Sequence, residues 1–471
     1  MLEVIFNNKS PKDNQVKVVT MYEGEEAVVD FLSEDEAEIL ERAIFQTNFE
    51  GKFKQFVDVY GGNSKIILVG LGKEKTDLSL QEVGVELFEK LFNDEDAYII
   101  SKDDNTAINL AYGILQGSYS FDKYKTEKKA EEYTKLEKIE LRVADPDKTT
   151  ENFKPFLAMV NAIRYCKDLC NEPANYLTPE VFAADIKRLE YLGLDVEIYD
   201  ADNINIKGFG LIEAVGKGSV NSPKVVVISW KGNRADSLYD LGLVGKGVCF
   251  DAGGLSLKSN AGMVEMKMDM AGAAAVVAVM KAMALQRVRK NLVAIVGLVE
   301  NMSGSAAMKI GDIYSSYAGK TVEIMNADAE GRLIVADCLA YLQKNYKLRK
   351  IIDISTLDAL KNVLGNVYAG IFGNDDKLIK DLIKAGDRCG EKLWMMPLDK
   401  KYDAMLKSKV ADVRNISSDG KSSVVSASFL SGFVEKGQKW AHIDMSGMRL
   451  DKTGLASGFG VKLLNELIKG L

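Results

Sequence analysis

Short apolar stretches alternate with amphipathic stretches along the chain, and the two patterns predict strands and helices in turn. In the first 150 residues, Lys65–Val69 and Ala97–Ile100 predict strands, whereas Glu34–Phe45 and Gln81–Phe92 predict helices. Strands that alternate with helices are typical of an α/β domain with a largely parallel sheet.

The same alternation continues beyond residue 150, with longer apolar runs. Strands are predicted at Lys224–Trp230, Leu241–Val244, Leu292–Val299, Ile351–Ile354 and Val367–Phe372, and helices at Met270–Gln286 and Leu333–Asn345. The most apolar stretch, Ala271–Leu285, predicts a buried helix. Continuous apolar strands are typical of a sheet that is covered on both faces.

A chain of 471 residues is too long for one compact core. A long helical pattern begins near Thr150 and continues through Cys170. We therefore predict an α/β fold with two domains, residues 1–150 and 151–471, each a mostly parallel sheet with helices on both faces. The strongly charged stretch Lys125–Lys138 is expected to be an exposed helix or an interdomain surface.

Charge and composition limit the class of partner. The chain has 61 Lys and Arg against 68 Asp and Glu, a net charge of −7, so neither nucleic acid nor an anionic membrane is an expected partner. No apolar run is long enough for a transmembrane helix, and we expect no secretory signal. Five scattered cysteines argue for a reducing compartment rather than a disulfide framework.

A single histidine, His442, restricts the possible chemistry. A metal site in this chain must be built mainly from carboxylates, amines or carbonyls. A Ser-His-Asp or Cys-His mechanism would have to use His442 alone.

Two glycine-rich or alanine-rich segments carry candidate site residues. In LVGKGVCFDAGGLSLK, at 243–258, an apolar strand ends in Gly-Lys246-Gly, and Asp251 and Lys258 follow. The spacing does not fit a Walker A phosphate loop. Further along, Asp269 precedes the alanine-rich helix, where it could either cap the helix or bind a metal.

A third segment, NADAEGRL at 326–333, places Asp328 and Glu330 two residues apart. In an extended segment both carboxylates lie on the same face, and they repel each other unless a positive charge lies between them. A divalent metal or Arg332 could supply that charge.

Together the segments supply four carboxylates, which could hold two divalent cations. A lysine beside the metals could lose its proton and become a nitrogen ligand, and a second lysine could stay charged and polarise a carbonyl. The residues predict metal-assisted hydrolysis but do not name the substrate.

These segments resemble those of the leucyl aminopeptidases, also called cytosol aminopeptidases. The family signature NTDAEGRL is present as NADAEGRL, and GKGVCFDAGGLSLK, MKMDMAGAAAV, ENMSGSAAMKIGDI, DLCNEPANYLTPE and GLASGFGVKLL are similar as well. The similar segments cover most of residues 165–465, whereas the first 150 residues match only in general character. The resemblance implies a cytoplasmic metal-dependent aminopeptidase of peptide turnover, which removes N-terminal leucine or other apolar residues.

The resemblance also implies a metal-ligand set. Asp251 and Glu330 would bridge two divalent metals, zinc or manganese, with magnesium or cobalt as further possibilities. Asp328 would complete one metal site, and Lys246 with Asp269 would complete the other.

Further roles follow from the same resemblance. Lys258 would polarise the scissile carbonyl and stabilise the gem-diolate that forms when the metal-bridging water attacks. Arg332 would hold a bicarbonate ion that acts as general base. Met266 would line the pocket for the first side chain, and the carbonyl of Leu357 would accept a substrate hydrogen bond. His442 is interpreted as a core histidine, since the family needs none for catalysis.

The family is a homohexamer with the catalytic domains inside, so the resemblance implies this assembly and an oligomer or regulatory role for residues 1–150. Three departures leave the substrate preference open: Ala327 replaces the signature threonine, Asp358 and Ala359 depart from the family's TLTGA segment, and serines at 417, 418, 422 and 423 replace loop glycines. DNA binding and hydrolysis of another substrate, such as a phosphoester, remain alternatives.

Overall fold

The computed structural model describes residues 2–12, 15–61, 64–127, 129–358, 360–417, 420 and 422–471. Two of the departures from the family pattern, Ala359 and Ser418, lie outside the described residues. The chain divides into two compact units, Met1–Val160 and Asn161–Leu471. The predicted α/β fold, with mostly parallel sheets and helices on both faces, is confirmed.

The N-terminal unit is built on a six-stranded sheet. Its elements are β1 (Glu3–Asn7), β2 (Val16–Met21), α1 (Glu34–Thr47), β3 (Phe56–Gly61), β4 (Ser64–Gly70), α2 (Asp77–Leu91), β5 (Asp96–Ile100), α3 (Asp104–Gly117) and β6 (Lys138–Arg142). The strand order is β1-β6-β5-β2-β4-β3, and neighbouring strands are parallel except β3 with β4. Helix α4 (Pro146–Asn171) follows, and the division between the units falls within it.

Polar side chains begin the helices of this unit. Ser33 accepts a hydrogen bond from the backbone N–H of Glu36, whose side chain accepts one in return from the N–H of Ser33. This reciprocal capping satisfies two N–H groups that have no partner inside the helix. Thr76 and Asp103 cap α2 and α3, where each side chain accepts one hydrogen bond from a backbone N–H.

For the charged stretch Lys125–Lys138, the predicted exposed helix is wrong, whereas the interdomain surface stays a prediction. The described residues of the stretch form no α-helix, and Ala130–Glu132 make a single 3-10 turn. Most of the described side chains here are exposed. With almost no apolar residue to bury, the segment gains no packing energy from a helical stripe.

The C-terminal unit is built on an eight-stranded sheet and a small three-stranded one. The strands are β7 (Asp195–Tyr199), β8 (Lys224–Lys231), β9 (Leu241–Asp251), β10 (Asn291–Asn301), β11 (Ile313–Ser315), β12 (Thr321–Glu323), β13 (Ile351–Ser355), β14 (Ala369–Gly373), β15 (Leu393–Met395), β16 (Val413–Arg414) and β17 (Trp440–Asp444). The large sheet has the order β15-β14-β17-β13-β9-β10-β8-β7, with β17, β13, β9 and β10 parallel at its centre.

Eleven further helices are described in this unit. They are α5 (Pro179–Arg188), α6 (Ala201–Lys207), α7 (Gly210–Gly216), α8 (Asn260–Met263), α9 (Ala271–Leu285), α10 (Gly331–Asn345), α11 (Lys361–Leu364), α12 (Asp376–Cys389), α13 (Lys400–Ala404), α14 (Ser423–Ser431) and α15 (Val461–Lys469). The central helices α9 and α10 both pack against β9 and β10.

Strand β9 is longer than predicted, because it continues from Val244 through Lys246 to Asp251. Alternate residues of a strand point to opposite faces. A Cβ atom on Gly245 would lie 2.6 Å from Cα of Ala273 in α9, whereas Lys246 approaches Gly331 at the start of α10. The glycines therefore do not end the strand. They leave room for α9 to pack closely on one face while the lysine occupies the other.

Helix α9 is the buried helix that its composition predicts. The stretch Asn260–Leu285 is long and apolar enough to cross a membrane, but 89% of its most apolar 18-residue window is buried inside the protein. The core helix of a globular unit has the same composition, so this stretch is weak evidence for a membrane span.

We expect Gly272→Ala to destabilise the protein. Alanine would favour the helix by about 1 kcal/mol through its intrinsic propensity. However, the added Cβ atom would lie 2.2 Å from the backbone oxygen of Ile354 in β13. Separating packed backbone should cost about 3 kcal/mol or more, so the clash wins and the melting temperature should fall by several degrees.

Gly262→Ala is the matched control for this substitution. Gly262 also lies in a helix, but its added Cβ atom would meet no atom closer than 3.4 Å. Its melting temperature should stay the same or rise. Equal melting temperatures for the two variants would contradict the close packing of α9 on the sheet.

Candidate metal centre

The predicted site residues converge at the carboxyl ends of the central strands. Lys246 and Asp251 lie on β9, Asp269 follows the 3-10 turn Met266–Met268, and Asp328 and Glu330 immediately precede α10. All five line one cavity of about 680 Å³, which Lys258, Met266 and Leu357 also line. This edge is where open α/β sheets place their ligand sites. Arg332 is buried and is not part of the described lining.

Three carboxylates form the acidic part of the cluster. Asp251, Asp328 and Glu330 each offer an oxygen atom within 4.8 Å of the other two. Asp251 and Glu330 are only 2% exposed. Carboxylates this close, with little water around them, repel strongly unless a cation lies between them. The donor set is therefore suited to a divalent cation that prefers oxygen ligands.

The side chain of Lys246 connects this cluster to Asp269. Its Nζ lies 2.7 Å from Oδ2 of Asp269 and 3.0 Å from Oε1 of Glu330, and it donates to the carbonyl of Thr356 at 2.6 Å. Burial by itself lowers the pKa of Lys246, but the charges of Asp269 and Glu330 outweigh burial, and the net pKa is raised. Without metal, the lysine thus serves as the counter-ion of the cluster.

Two carboxyl groups of the site, those of Asp251 and Asp269, have raised pKa values. Burial and then the charges of Glu330 and Asp269 raise the pKa of Asp251 to about 7, although Lys258 and Lys246 act in the opposite direction. Burial also raises the pKa of Asp269, against the opposing charge of Lys246. The two lysines therefore neutralise the cluster only in part, which again favours a bound cation.

The capping alternative for Asp269 is wrong. Its side chain makes no hydrogen bond to the N-terminus of α9, whose cap residue is Met270. Instead Oδ1 accepts a hydrogen bond from the hydroxyl of Thr356 at 2.7 Å, and Oδ2 contacts Lys246. A carboxylate turned away from the helix and into the cavity is available as a ligand.

The spacing argument assumed that the segment with Asp328 and Glu330 is extended, and this assumption is wrong. The segment forms a turn in which the N–H of Ala329 donates to the carbonyl of Asn326, and α10 begins at Gly331. Glu330 is therefore the cap residue of α10, where the helix dipole stabilises a negative charge. The two carboxylates still converge, but the turn and the helix start bring them together.

Gly331 is required by the close approach of Lys246. A Cβ atom at position 331 would lie 2.4 Å from Cε of Lys246. With any other residue type here, the lysine side chain would have to shift from the position in which it reaches Glu330. This contact gives a physical reason for the glycine between Glu330 and Arg332.

Lys258 pairs with different carboxylates from those that Lys246 contacts. Its ammonium group is 2.6 Å from Oδ2 of Asp251 and also pairs with Asp328. Burial lowers the pKa of Lys258, but Asp251 and Glu330 raise it more, so the side chain stays charged. The lysine borders the cavity as a cation that can meet a developing negative charge.

Arg332 is 1% exposed, and its guanidinium group is held inside the chain. Nη1 donates to the carbonyl of Asn415 at 2.9 Å, and Nη2 lies 3.3 Å from Oδ2 of Asp358. Asp358 itself lines the cavity. Arg332 thus faces a carboxylate of this chain, an arrangement that the sequence did not predict.

Three supporting residues were missed from the sequence. Asn301 donates to Asp251 at 2.8 Å and to the carbonyl of Ala327 at 3.0 Å, and so connects two of the segments. Thr356 holds Asp269, and Asn415 donates to the carbonyl of Asn326 at 2.7 Å. Asn301 and Thr356 lie at strand ends in segments that resemble the family, which was the one available signal.

His442 is fully buried on β17, as expected of a core histidine. Its Nδ1 lies 2.5 Å from Oδ1 of Asp353, and its ring stacks on Phe372. Burial lowers the pKa of His442, but the charge of Asp353 raises it more, so the net pKa is raised. The described cavity lining does not include this histidine.

Family models match both parts of the chain. The model for the catalytic domain of the cytosol aminopeptidase family matches residues 164–465, and the model for the family's N-terminal domain matches residues 18–128. The probable cytosol aminopeptidase of Caulobacter vibrioides is 38% identical over 446 residues, which cover 91% of this chain and 90% of the relative.

Solved structures give the same answer. A tomato leucine aminopeptidase mutant has a TM-score of 0.88 at 28% identity, with 100% of this chain and 97% of that chain covered. The bottromycin maturation enzyme BotP in complex with Mn has a TM-score of 0.85 at 28% identity, with 97% and 99% covered. The chain therefore belongs to the cytosol aminopeptidase family and is a metal-dependent aminopeptidase, a hydrolase of the metallo-exopeptidase class.

Proposed function

We propose that this enzyme removes N-terminal leucine or another apolar residue from peptides, with residues 151–471 as its catalytic domain. The observation that carries the proposal is the convergence of four carboxylates and two lysines on one cavity whose wall is partly apolar. Met266, Leu357, Leu360 and Val363 contribute to that wall. An apolar wall beside a charged cluster is suited to a substrate whose side chain is apolar and whose reacting group is polar.

We propose that five residues hold two divalent cations. The cations would be zinc or manganese, with magnesium or cobalt as further possibilities. The ligands we propose are Lys246, Asp251, Asp269, Asp328 and Glu330. When bound, a pair of divalent cations activates water and acts as a Lewis acid on a carbonyl group. The close approach of Asp251, Asp328 and Glu330, their burial and the raised pKa of Asp251 support this ligand set.

Lys258 is proposed to act on the substrate. Its charged ammonium group borders the cavity, and a fixed cation stabilises the negative charge that develops on a carbonyl oxygen during hydrolysis. We propose that Met266 contacts the first side chain and that the carbonyl of Leu357 accepts a substrate hydrogen bond. Both residues are partly exposed in the cavity wall.

The residues around Arg332 fit a bound bicarbonate poorly. A second anion beside the guanidinium group would meet the carboxylate of Asp358, which lies 3.3 Å from Nη2 of Arg332. Like charges at this range in a buried place repel strongly. We therefore derive no step through bicarbonate.

We further propose a cytoplasmic homohexamer in which residues 1–150 have an oligomer or regulatory role. The net charge of −7 is consistent with a chain that binds neither membranes nor nucleic acid. No contact in the described residues favours the alternatives of DNA binding or phosphoester hydrolysis.

Removal and return of metal tests the proposed activity. Metal-stripped protein should not hydrolyse a leucine anilide, and addition of manganese or zinc should restore hydrolysis. An N-acetylated leucine anilide should not be cleaved under any condition, because an exopeptidase requires a free N-terminal amine. Absence of cleavage of every free-amine substrate, with two metals bound, would contradict the proposed function.

Glu330→Gln should lose metal, because the amide cannot supply the charge that holds a cation. Metal analysis after dialysis should find fewer than two ions per chain, and hydrolysis should be largely lost. Glu300→Gln is the matched control, since Glu300 is also a buried glutamate but instead accepts hydrogen bonds from Ser219 and Asn221. An unchanged metal content in the Glu330 variant would exclude it as a ligand.

Lys258→Met should lower kcat about 10²- to 10³-fold, the usual effect of removing one group that stabilises an oxyanion. Its metal content should remain that of the unmodified enzyme. Lys281→Met provides the comparison, because Lys281 is also half-buried but lies on α9 over the ring of Tyr165. Steady-state kinetics in which both variants have equal kcat values would contradict the role of Lys258.

A further inference from the structure

Arg332 carries a charge that requires an anion inside the protein. It lies in the first turn of α10 and is 1% exposed. The positive end of the helix dipole is nearby, which makes an unpaired cation still less favourable. A charge buried to this degree must be paired. In the part of the chain that the structure describes, the carboxylate within ion-pair distance is that of Asp358.

Asp358 pairs with this arginine and also borders the cavity of the metal-ligand cluster. It pairs with Arg332 through Oδ2 and it lines the cavity that the proposed metal ligands surround, whereas Arg332 is not part of that lining. The charge of Arg332 is therefore already paired with a carboxylate of the same chain.

The carboxylate of Asp358 is held in place by further contacts. The hydroxyl of Ser426 donates to Oδ2, and the backbone N–H of Asp358 donates to Oδ2 of Asp444 at 3.3 Å. The other oxygen, Oδ1, is buried and has no hydrogen-bond partner among the described residues. One oxygen thus anchors the group to Arg332 and Ser426, while the second stays available.

Position 358 is also where the chain departs from its family. The TLTGA pattern has a neutral threonine here, which would leave the arginine free to pair with an anion from solution. An aspartate at this position carries the negative charge on the chain itself and pairs with the arginine. Because it is tethered, it does not lose the entropy that a free ion loses on binding.

We propose that Asp358 is a built-in anion that takes the place of bicarbonate at Arg332, so that this enzyme works without a dissolved anion. The proposal rests on the proposed function where peptide hydrolysis is measured. Its test by bicarbonate binding does not depend on that function. Ser426 donates to Asp358 without contacting Arg332 in the described hydrogen bonds, so Ser426→Ala leaves the ion pair in place and serves as a control.

The test uses the full-length, metal-loaded enzyme and two readouts. The first is binding of ¹³C-bicarbonate, followed by line broadening in NMR spectra. The second is kcat/KM for a leucine anilide in carbon dioxide-free buffer, with and without added bicarbonate. The variants are Asp358→Thr, which restores the family residue, Asp358→Thr combined with Arg332→Ala, and Ser426→Ala.

The unmodified enzyme and Ser426→Ala should show no saturable bicarbonate binding, and added bicarbonate should change kcat/KM less than about twofold. Asp358→Thr should bind bicarbonate and should gain about tenfold or more in kcat/KM when it is added, a size expected for a group that assists proton transfer. The double variant should neither bind bicarbonate nor respond to it, because it lacks the guanidinium group.

Saturable bicarbonate binding by the unmodified enzyme would overturn the proposal, as would an Asp358→Thr variant that folds but does not bind the ion. If Asp358→Thr does not fold, Asp358→Asn keeps the shape of the side chain and removes its charge, and the same outcomes apply. Failure of every form to cleave peptides would contradict the proposed function alone, since the NMR readout needs no turnover.

Discussion

The ion pairs of Lys246 with Asp269 and Glu330 lie in the interior of the C-terminal unit, and the site depends on them. Taking charged groups out of water costs several kcal/mol per ion, and only close pairing offsets that cost. The lysine must therefore reach both carboxylates. The glycine at the start of α10 leaves the space that the lysine side chain occupies, because a Cβ atom there would lie 2.4 Å from Cε of Lys246.

Lysines alone leave the cluster incompletely neutralised. The pKa of Asp251 is still raised to about 7 by burial and by the neighbouring carboxylates, even with two ammonium groups in contact with the cluster. The protein thus holds its acidic groups close together at an energetic disadvantage, which a divalent cation would relieve. Such preorganisation is what a metal centre requires, because little rearrangement is left for the moment of binding.

The ion pair of Arg332 with Asp358 offsets the cost of burying a second charge. A guanidinium group buried beside the cavity needs a negative partner, and here the chain supplies one 26 residues away in sequence. Family membership alone gives no sign of this pair, because the family pattern has a neutral residue at that position. The departure becomes interpretable only when the partner is known, and it then suggests a change in the anion rather than a damaged pocket.

The sequence by itself determined the alternation of strands and helices, the two-domain α/β fold, and the residues that could carry chemistry. Apolar periodicity is a local property, and a chain with one histidine has few possible metal ligands. The resemblance to a family added the roles of individual residues.

Only the tertiary structure decided how these groups are held. The continuation of β9 through Lys246 and the supporting contacts of Asn301, Thr356 and Asn415 depend on segments that are distant in sequence. The contact of Arg332 with Asp358 belongs to the same class. Each results from the packing of strands and helices that are far apart in the chain, and a single sequence carries no local signal for which distant side chains such packing brings together.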